Sequence, residues 1–574
     1  MKKIRLEISD FLYNAGIVGI AKILEFAELS FTREANYIEF DESYLEGFEE
    51  LYFNYFVETY NVFTSYYNIV KFEDYIDNFD LEKAEEGSIE YINRYIDYLK
   101  GKLTSNSYKS AYSLISSSDF DILEREKNLK KLKITKKQSV SVIAKDIVQV
   151  FSDIKDVIDY LKRDEVQKYI KAKNIIYDVI QNFWSNASFL NKTKSNSDMY
   201  VAYKVDFIES AQKYMAADRT NFKYPCFTCT YSIENLSKPN AFDLAWLNQI
   251  GVDIKRKTSH FWNLKVDSYI CPICNLVYSC IPAGFTVIKN NAIFINENSS
   301  IRDLISVNKF SLNSSNLTLE DIEEEGYYKI LDIMEQNRID NFEREADNIQ
   351  IVKLYTVKER NKEKQKYTFN ILSKEKLSLI GKHKTQLKYL IHRNAKVGKD
   401  YYINIFREVL KRLYNDTNQF DLIHTLVLLN LQGNFKSISA IKSIINLNDG
   451  FLGSKRRVKM VGYKDINKFI SYGLNLREKY LSKSAKNKIP GITYRLTNAL
   501  NTKDANKFIN TLINAYLYDG SLIPTSLGQT LNDVDKLRTL GYAFIIGFQG
   551  IDSEQSVAPE ETKGNVEGEN EDAK

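Results

Sequence analysis

Cys226-Phe-Thr-Cys229 and Cys271-Pro-Ile-Cys274 decide the fold in the middle of this chain. A Cys-x-x-Cys turn presents two thiols on one side of a tight knuckle. Two such knuckles can close a tetrahedral site around a soft divalent ion. Asn275, which follows the second knuckle, is a residue type that tolerates the left-handed conformation often needed there. We therefore predict that these four cysteines form one metal site.

Four sulfur ligands leave no open coordination position, so we expect a structural ion, with Zn²⁺ as the default. Disulfides, redox-active thiols and buried cysteines are the alternatives. A redox Cys-x-x-Cys normally occurs singly beside a βαβ pattern, and disulfides need an oxidising compartment. The connection between the pairs is longer than in a compact zinc ribbon and contains an amphipathic segment, Phe242 to Ile250. We interpret Cys280 as a core residue and His260 as a satisfied surface or core histidine, with replacement of a metal ligand as the alternative for His260.

The overall composition is that of a soluble globular protein. Of 574 residues, 44% are hydrophobic and 27% are charged, and only seven are proline, which favours long helices. Neither a signal peptide nor a membrane span is evident, so we expect a cytoplasmic protein. Eight acidic and two basic residues from Ile551 onward predict a disordered acidic tail. Without the −6 of this tail, the net charge of +4 becomes +10, which suits a polyanionic partner.

Hydrophobic periodicity predicts a predominantly helical α+β fold, with a mixed N-terminal domain, a zinc-finger insertion, small β-hairpins and a C-terminal helical bundle. Asp10 is a candidate N-cap for a first helix that contains Gly16 and Gly19, two residues that cost helix stability unless another backbone packs close. The apolar spacing from Val140 to Leu161 predicts a long helix. We divide the chain into segments 1–220 (mostly helical), 221–300 (zinc finger with a hairpin), 301–380 (α/β with a basic hairpin), 381–550 (helical bundle) and 551–574 (tail).

Two β-hairpins are predicted after the cysteines. The first pairs Phe285–Ile288 with Ala292–Ile295, and the second pairs Ile349–Val357 with Tyr367–Leu372. The second hairpin would carry a flexible tip, Lys358–Lys366, with five basic and two acidic residues, and such a tip can follow a phosphate backbone. A solvated, solubilising loop is the alternative.

Local charge also selects the other candidate nucleic-acid contacts. They come from a lysine-rich run after residue 126, from the hairpin tip and from basic clusters of the C-terminal region. The candidates are Lys130, Lys131, Lys133, Lys358, Arg360, Lys362, Lys364, Lys366, Arg456, Arg457, Lys486, Lys488 and Arg495.

Motifs that would indicate catalysis are missing from the sequence. There is no Walker A loop, dinucleotide-binding glycine fingerprint, His-Glu-x-x-His or Gly-x-Ser-x-Gly elbow, and the four histidines are scattered. We therefore predict no catalytic residues.

Several segments, taken in order, resemble the large subunit of type I-B CRISPR Cascade complexes (the Cst-type large-subunit family). Asp10-Phe-Leu-Tyr-Asn-Ala-Gly-Ile-Val-Gly19 resembles its N-terminal signature, which usually has Trp where Phe11 stands. Further similar segments are Glu46–Phe53, the double Cys-x-x-Cys with Ile281–Phe285, Gly491–Leu500 and Gly541–Gly547.

The resemblance implies a non-catalytic subunit of an RNA-guided surveillance complex. Such a subunit recognises the motif that flanks the target, assists duplex opening and R-loop formation, and recruits a helicase-nuclease. Its partners would be CRISPR RNA, target DNA, the backbone and handle-binding subunits and, as a further possibility, a small subunit translated from an internal start at Met460. The alternatives are an unrelated zinc-containing RNA-binding factor or a metal-dependent nucleic-acid-modifying enzyme.

Overall fold

The computed structural model describes residues 2–116, 119–133, 140–194, 197–248, 269–312, 314, 316–336, 349–359, 362–399, 401–458, 460–526 and 533–550. These residues form two compact units. Unit 1 takes its residues from 1–333 and 339–372, and unit 2 takes its residues from 334–338 and 373–574.

Helices dominate the part before residue 337. They are α1 (Phe11–Phe26), α2 (Phe48–Tyr60), α3 (Ser65–Val70), α4 (Phe72–Asp77), α5 (Glu86–Leu103), α6 (Asn106–Tyr112), α7 (Ile122–Asn128), α8 (Ala144–Lys162), α9 (Asp164–Asp178), α10 (Met199–Tyr203), α11 (Glu209–Ala216), α12 (Pro272–Ser279), α13 (Ile281–Gly284), α14 (Ile301–Val307) and α15 (Leu319–Gln336).

The strands of unit 1 are short except for one ribbon. They are β1 (Lys3–Glu7), β2 (Thr32–Arg33), β3 (Tyr37–Asp41), β4 (Tyr224–Pro225), β5 (Ser232–Ile233), β6 (Thr286–Ile288), β7 (Asn291–Asn296), β8 (Ile349–Glu359) and β9 (Lys362–Leu372). β1, β3 and β2 form one antiparallel sheet, and β6-β7-β8-β9 form a second.

α1 is the central helix of unit 1, and its cap is the predicted one. The Asp10 carboxylate accepts hydrogen bonds from the backbone N–H groups of Leu12 (2.9 Å) and Tyr13 (3.1 Å). α1 is buried over most of its length and packs against α12 and α13. A β-carbon at Gly16 would lie 2.3 Å from the Val277 carbonyl oxygen, so this glycine permits the close backbone approach that the sequence led us to expect.

The second predicted hairpin is present, but its strands are longer than expected. Eleven residue pairs run from Ile349↔Leu372 to Glu359↔Lys362, which leaves only residues 360 and 361 between the strands. The prediction of a nine-residue tip is therefore wrong. In the backbone register, Lys358 lies opposite Glu363 and Glu359 lies opposite Lys362.

A second hydrophobic core of unit 1 is formed by helices α3 to α9. Its centre includes the Phe72 and Tyr95 rings, which stack with centroids 3.5 Å apart. The helix predicted over Val140–Leu161 contributes here, as a 3₁₀ turn over Val140–Ile143 followed by α8. Buried Ile147, Ile154 and Ile158 of α8 confirm the helical spacing seen in the sequence.

Where the structure describes unit 2, it consists of helices and one small hairpin. Its elements are α16 (Lys374–Lys382), α17 (Lys384–Leu390), β10 (Asn394–Lys396), β11 (Tyr402–Asn404), α18 (Ile405–Tyr414), α19 (Phe420–Leu431), α20 (Ile438–Arg456), α21 (Tyr463–Ser482), α22 (Ile489–Asn501), α23 (Ala505–Asp519) and α24 (Val534–Gln549). The β10–β11 hairpin was not predicted.

Two glycines bring α21 and α24 into backbone contact at the centre of unit 2. A β-carbon at Gly473 would lie 2.1 Å from the Phe544 carbonyl oxygen, and one at Gly547 would lie 2.1 Å from that of Ile470. α24 is almost wholly buried and also packs against α19, α20 and α22. The helices therefore surround α24 as a common core element.

The predominantly helical α+β fold class is confirmed. The division into five segments stays a prediction, and the acidic tail, 551–574, lies outside the described residues. None of the helices within the described ranges combines the length and the apolarity that a bilayer span needs.

Candidate metal centre

The four predicted cysteines come together in unit 1. Their Sγ atoms all lie within 4.8 Å of one another, with 3.7 Å between Cys226 and Cys274 and 3.6 Å between Cys229 and Cys271. A tetrahedral ion with Zn–S bonds of about 2.3 Å separates its sulfurs by about 3.8 Å. The spacing fits such an ion, whereas a disulfide would need sulfurs about 2.05 Å apart. The cluster can hold a metal ion.

The first knuckle is closed by backbone hydrogen bonds. β4 leads into Cys226 and β5 leaves after Tyr231. Cys226 N donates to the Tyr231 carbonyl (2.8 Å), and Thr230 N donates to the Cys226 carbonyl (3.0 Å). Thr230 has φ +63°, so the left-handed position follows this first knuckle.

The second knuckle continues directly into a helix. Cys271 is the N-cap of α12, and its sulfur accepts from Cys274 N at 3.4 Å. Pro272 occupies the first turn, where its fixed φ suits a helix start. Asn275 is a buried residue of α12, so the left-handed conformation considered for it is wrong. The helix N-terminus favours negative charge on both thiolates.

Backbone groups also bridge the two knuckles. Cys271 N donates to the Cys226 sulfur at 3.2 Å, and Phe227 N donates to the Tyr269 carbonyl at 2.9 Å. These bonds hold the two knuckles together, although more than forty residues of sequence separate one knuckle from the other. Hydrogen bonds of this kind stabilise thiolate ligands and fix their direction.

The thiols differ in their ease of ionisation. Burial raises the pKa of Cys271 and Cys274, while hydrogen bonds from Cys229, Cys271 and Cys274 hold the pKa of Cys226 below its ordinary range. The site therefore tolerates one thiolate by itself, but four closely spaced negative charges, three of them on buried cysteines, need a cation. A bound Zn²⁺ would supply that charge and fix the two knuckles to each other.

Residues of α1 form a second layer around the cysteines. Tyr13 Oη lies 3.7 Å from Cys274 Sγ. Burial, followed by the charge of Cys274, raises the pKa of Tyr13 well above its usual range, so the phenol stays protonated and can donate to the sulfur. The Tyr278 hydroxyl donates to Asp10 (3.2 Å) and lies 3.1 Å from the Thr228 hydroxyl. This chain ties the first knuckle to the cap of α1.

Sequence reasoning missed these supporting residues. Tyr278 follows Cys274 by one helical turn, which is a readable signal once α12 is known. Its link to Asp10 spans more than 260 residues and has no local signature. The interpretation of Cys280 is confirmed: its side chain is buried, with Sγ 3.8 Å from the Tyr203 hydroxyl. His260 lies outside the described residues.

The basic candidates of unit 1 do not form one surface that the structure describes. Lys130, Lys131 and Lys133 follow α7 and are exposed, and Lys131 forms a 2.7 Å ion pair with Asp97. Lys358 belongs to β8. Lys362 and Lys364 belong to β9, as does Lys366, which is exposed. Arg360 lies outside the described residues. Their nucleic-acid role stays a prediction.

Arg456 and Arg457 have different surroundings in unit 2. Arg456 pairs with Asp533 at 3.0 Å and also with Asp535, at the N-terminus of α24. A phosphate would therefore compete with two carboxylates for this guanidinium. Arg457 ends α20 in the left-handed conformation, with φ +54°, and is exposed. Both residues are exposed and stay candidates, but the charge of Arg456 is already paired with two carboxylates.

The last three candidates, Lys486, Lys488 and Arg495, lie in the turn before α22 and on α22 itself. Lys486 and Lys488 belong to an exposed turn before α22, and the Lys488 ammonium lies 3.7 Å from the centroid of the Tyr518 ring. Arg495 is exposed on α22, and its Nε donates to the Gly491 carbonyl at 3.3 Å. A cation above an exposed ring is an arrangement found in nucleic-acid-binding surfaces.

Comparison with known proteins gives one match. Residues 219–286 match a family model described as "CRISPR-associated protein (Cas_CXXC_CXXC)", and this segment contains all four clustered cysteines and α12 and α13. No curated protein and no solved structure matches the chain. The family match supports a CRISPR-associated protein.

Proposed function

We propose that this CRISPR-associated chain is the non-catalytic large subunit of a type I-B CRISPR RNA-guided surveillance complex. It recognises the motif flanking the target, assists duplex opening and R-loop formation, and recruits the helicase-nuclease. Sequence specificity comes from base pairing of the guide, so the subunit needs binding surfaces and no reaction centre of its own.

The observation that carries this proposal is the packing of α1 against the matched segment. The match covers residues 219–286, and the N-terminal resemblance covers Asp10–Gly19. α1 contacts α12 and α13, and Tyr13 reaches the metal-site sulfur of Cys274. The N-terminal resemblance and the family match are thus two separate indications of a CRISPR protein, and the helices that carry them pack against each other.

The metal centre supports a structural role within that subunit. Its four sulfurs fill the coordination sphere of a tetrahedral ion, so none of the positions needed by substrate or water remains open. Zn²⁺ is the ion that such a site ordinarily holds in a cytoplasmic protein. We propose that it keeps the two knuckles and α1 in a fixed arrangement.

The experiment is co-expression of the chain with its neighbouring genes and a CRISPR array, followed by purification through a tag on the chain. CRISPR RNA and the backbone subunits should co-purify with it. The complex should bind a duplex target with a permitted flanking motif, selected from a randomised library, and should lose that selectivity when the chain is omitted. Absence of CRISPR RNA and of backbone subunits from the purified material would reject the proposal.

Two further results would favour the alternatives. Tight binding of structured RNA by the isolated chain, without co-purifying subunits, would indicate a separate RNA-binding factor. Metal-dependent cleavage of DNA or RNA by the purified chain would indicate an enzyme, and the four-cysteine variant lacking zinc would show whether that metal is the structural one. Helicase-nuclease recruitment is measured by target degradation with and without the chain.

A further inference from the structure

Unit 2 carries a hairpin whose aromatic residues face solvent. This tyrosine hairpin consists of residues 394–404, with β10 and β11 as its strands. The side chains of Tyr401 and Tyr402 are 65% and 57% exposed. Large aromatic side chains usually bury their rings, so two adjacent exposed rings on a short hairpin indicate a surface used for contact.

The base of the hairpin is fixed to the helices that flank it. Ala395 is fully buried, and Ile405 N donates to the Arg393 carbonyl at 3.0 Å. Near the turn, Val397 N donates to the Tyr401 carbonyl at 2.9 Å. α18 starts immediately after β11, with the Asn404 side chain accepting from Arg407 N at 2.9 Å. The rings are therefore presented on a held backbone, which lowers the entropic cost of binding.

Basic side chains lie on and beside the hairpin. The Lys396 ammonium lies 5.8 Å from the centroid of Tyr402, and Lys399 is exposed in the turn. The Arg393 guanidinium lies 4.0 Å above the ring of Tyr389 and donates to the Ser437 hydroxyl at 3.4 Å. The sequence from 384 to 402 has five basic residues and a single acidic one, Asp400, which lies outside the described residues.

We propose that the tyrosine hairpin is a stacking platform for single-stranded nucleic acid. Every base offers a flat π-face to an aromatic ring, and the phosphates between bases match cations spaced along the strand. An apolar protein partner would not require this positive charge. In a duplex the base faces are not accessible to the tyrosines. Binding should therefore be strong for single strands and tolerant of sequence. The inference assigns a ligand to unit 2. It rests on the proposed function only for the identity of the strand that is bound in the cell.

The first test measures binding of the purified full chain to single-stranded oligo(dT), oligo(rU) and a duplex of equal length. Replacement of both Tyr401 and Tyr402 by Ala should weaken single-strand binding by about tenfold or more, since each stacked base is worth about 1–3 kcal/mol. Replacement of both by Phe should retain binding, because the π-faces remain. Tyr463→Ala, which removes another exposed tyrosine of unit 2, is the matched control and should bind like the wild type.

The second test locates the contact. Oligonucleotides carrying 5-iodouracil are irradiated with the chain, and the crosslinked peptide should contain Tyr401 or Tyr402. Lys396→Ala with Lys399→Ala should lower the slope of log affinity against log salt by about 0.7 for each phosphate that the variant no longer neutralises. The DNA and RNA arms identify the preferred strand.

Each outcome decides the inference. Equal binding by the double Ala variant and the wild type, crosslinks elsewhere, or failure of the wild type to bind single strands would overturn it, and capture of a protein partner by this hairpin in place of nucleic acid would do the same. Co-purification of CRISPR RNA with the chain tests the proposed function separately. A chain that stacks bases without co-purifying RNA retains the inference and loses the proposed function.

Discussion

Gly19 and Cys280 meet backbone to backbone: a β-carbon at position 19 would lie 2.1 Å from the Cys280 carbonyl oxygen. Cys280 directly follows α12, which carries two of the metal-site cysteines, and precedes α13. On the other side of the contact, a β-carbon at Gly284 would lie 1.9 Å from the Ala15 carbonyl oxygen. The N-terminal helix is thus joined to α12 and α13 through main-chain surfaces that only glycine allows.

Gly19→Ala should destabilise unit 1, because the added methyl group meets a carbonyl oxygen that no side-chain rotation can move. Overpacking of this kind costs typically about 1–3 kcal/mol. The measurement is the thermal unfolding midpoint, together with the rate of zinc loss to a chelator, which should rise as α1 separates from α12.

The control for that variant is Gly101→Ala in α5. Gly101 has no atom within 4 Å of an added β-carbon and lies in a helix, so alanine should leave stability unchanged or raise it by up to about 1 kcal/mol. Equal midpoints for Gly19→Ala and wild type would contradict the backbone contact.

Removing a metal ligand should unfold the centre locally without affecting any chemical step. Wild-type protein should contain about one zinc ion per chain, as expected of a single four-sulfur site, and Cys229→Ser or Cys274→Ser should lower that content and the protein's solubility. Elemental analysis by mass spectrometry gives the measurement. Cys280→Ala is the control, since this buried cysteine is not one of the clustered four and its loss should leave zinc in place. Metal-free protein of unchanged stability would refute a structural ion.

Glu297 should make the stability of unit 1 depend on pH. Burial, helped by the charge of Asp303, raises its pKa to about 7, although hydrogen bonds lower it, among them those that both its carboxylate oxygens accept from Ser299 N at 3.2 Å. A pKa raised by folding gives stability that is complete below pH 4.5 and is lost as the pH rises through 7. Glu297→Gln stays neutral and should therefore be more stable than wild type at pH 8, by up to about 3 kcal/mol.

The measurement for Glu297 is the difference between variant and wild-type unfolding midpoints from pH 5 to pH 8. Taking the difference cancels any common effect of pH on metal binding. The difference should grow with pH, and Glu58→Gln, which alters an exposed carboxylate of α2, should show no such growth. A constant difference across the range would mean that Glu297 is not buried as a neutral acid.

Sequence reasoning identified the four-cysteine cluster and the role of the α1 glycines because both depend on local patterns. Cysteine spacing defines the knuckles, and glycine inside a helix signals a close approach. The signal did not specify which backbone approaches α1. The approaching backbone belongs to Val277 and Cys280, which lie more than 250 residues later in the sequence and come close to α1 only in the folded chain.

Ion pairs between residues far apart in the sequence could not be predicted from local patterns either. Arg456 belongs to a basic run in the sequence, yet it pairs with Asp533 and Asp535, almost eighty residues later. The outer end of the β8–β9 ribbon shows the same limit, because its polar, charged sequence resembles a loop although the strands pair as far as Glu359 and Lys362. The tyrosine hairpin was missed because three-residue strands carry little alternation.

Replacing Lys486, Lys488 and Arg495 together by Ala should weaken DNA binding similarly for all sequences. If they contact phosphates of a duplex, the salt slope should fall by about 0.9 for each phosphate that the variant no longer neutralises. Salt titrations of the assembled complex give both quantities. The matched control replaces Lys83, Lys109 and Lys213, three exposed lysines of unit 1, and makes the same change in net charge. Equal effects of the two triple variants would mean that net charge alone is responsible.

An internal start at Met460 should produce a short second protein, as we expect for large subunits of this type. Lys455–Lys459 directly precede Met460, and two arginines in that run can be written with purine-rich codons that resemble a ribosome-binding site. The product, Met460–Lys574, would keep α21 to α24 and the contact of Gly473 with Phe544. It would lack α19 and α20, which pack against α22 and α24, and Asp449, whose carboxylate accepts from Val461 N and Gly462 N. We therefore expect a helical product that needs a partner or a second copy to cover the exposed faces.

Expression of the intact gene with a C-terminal tag should give both bands, and Met460→Leu should abolish the short one. Met460 is buried in the full-length chain, and leucine conserves its volume and apolar character, so the long product should fold and melt as the wild type does. Synonymous changes that remove purines from the codons of Arg456 and Arg457 should also lower the short band, without altering any amino acid. If the native host makes only the full-length protein, Lys455–Lys459 is simply a basic segment of the sequence and Met460 is an ordinary core residue.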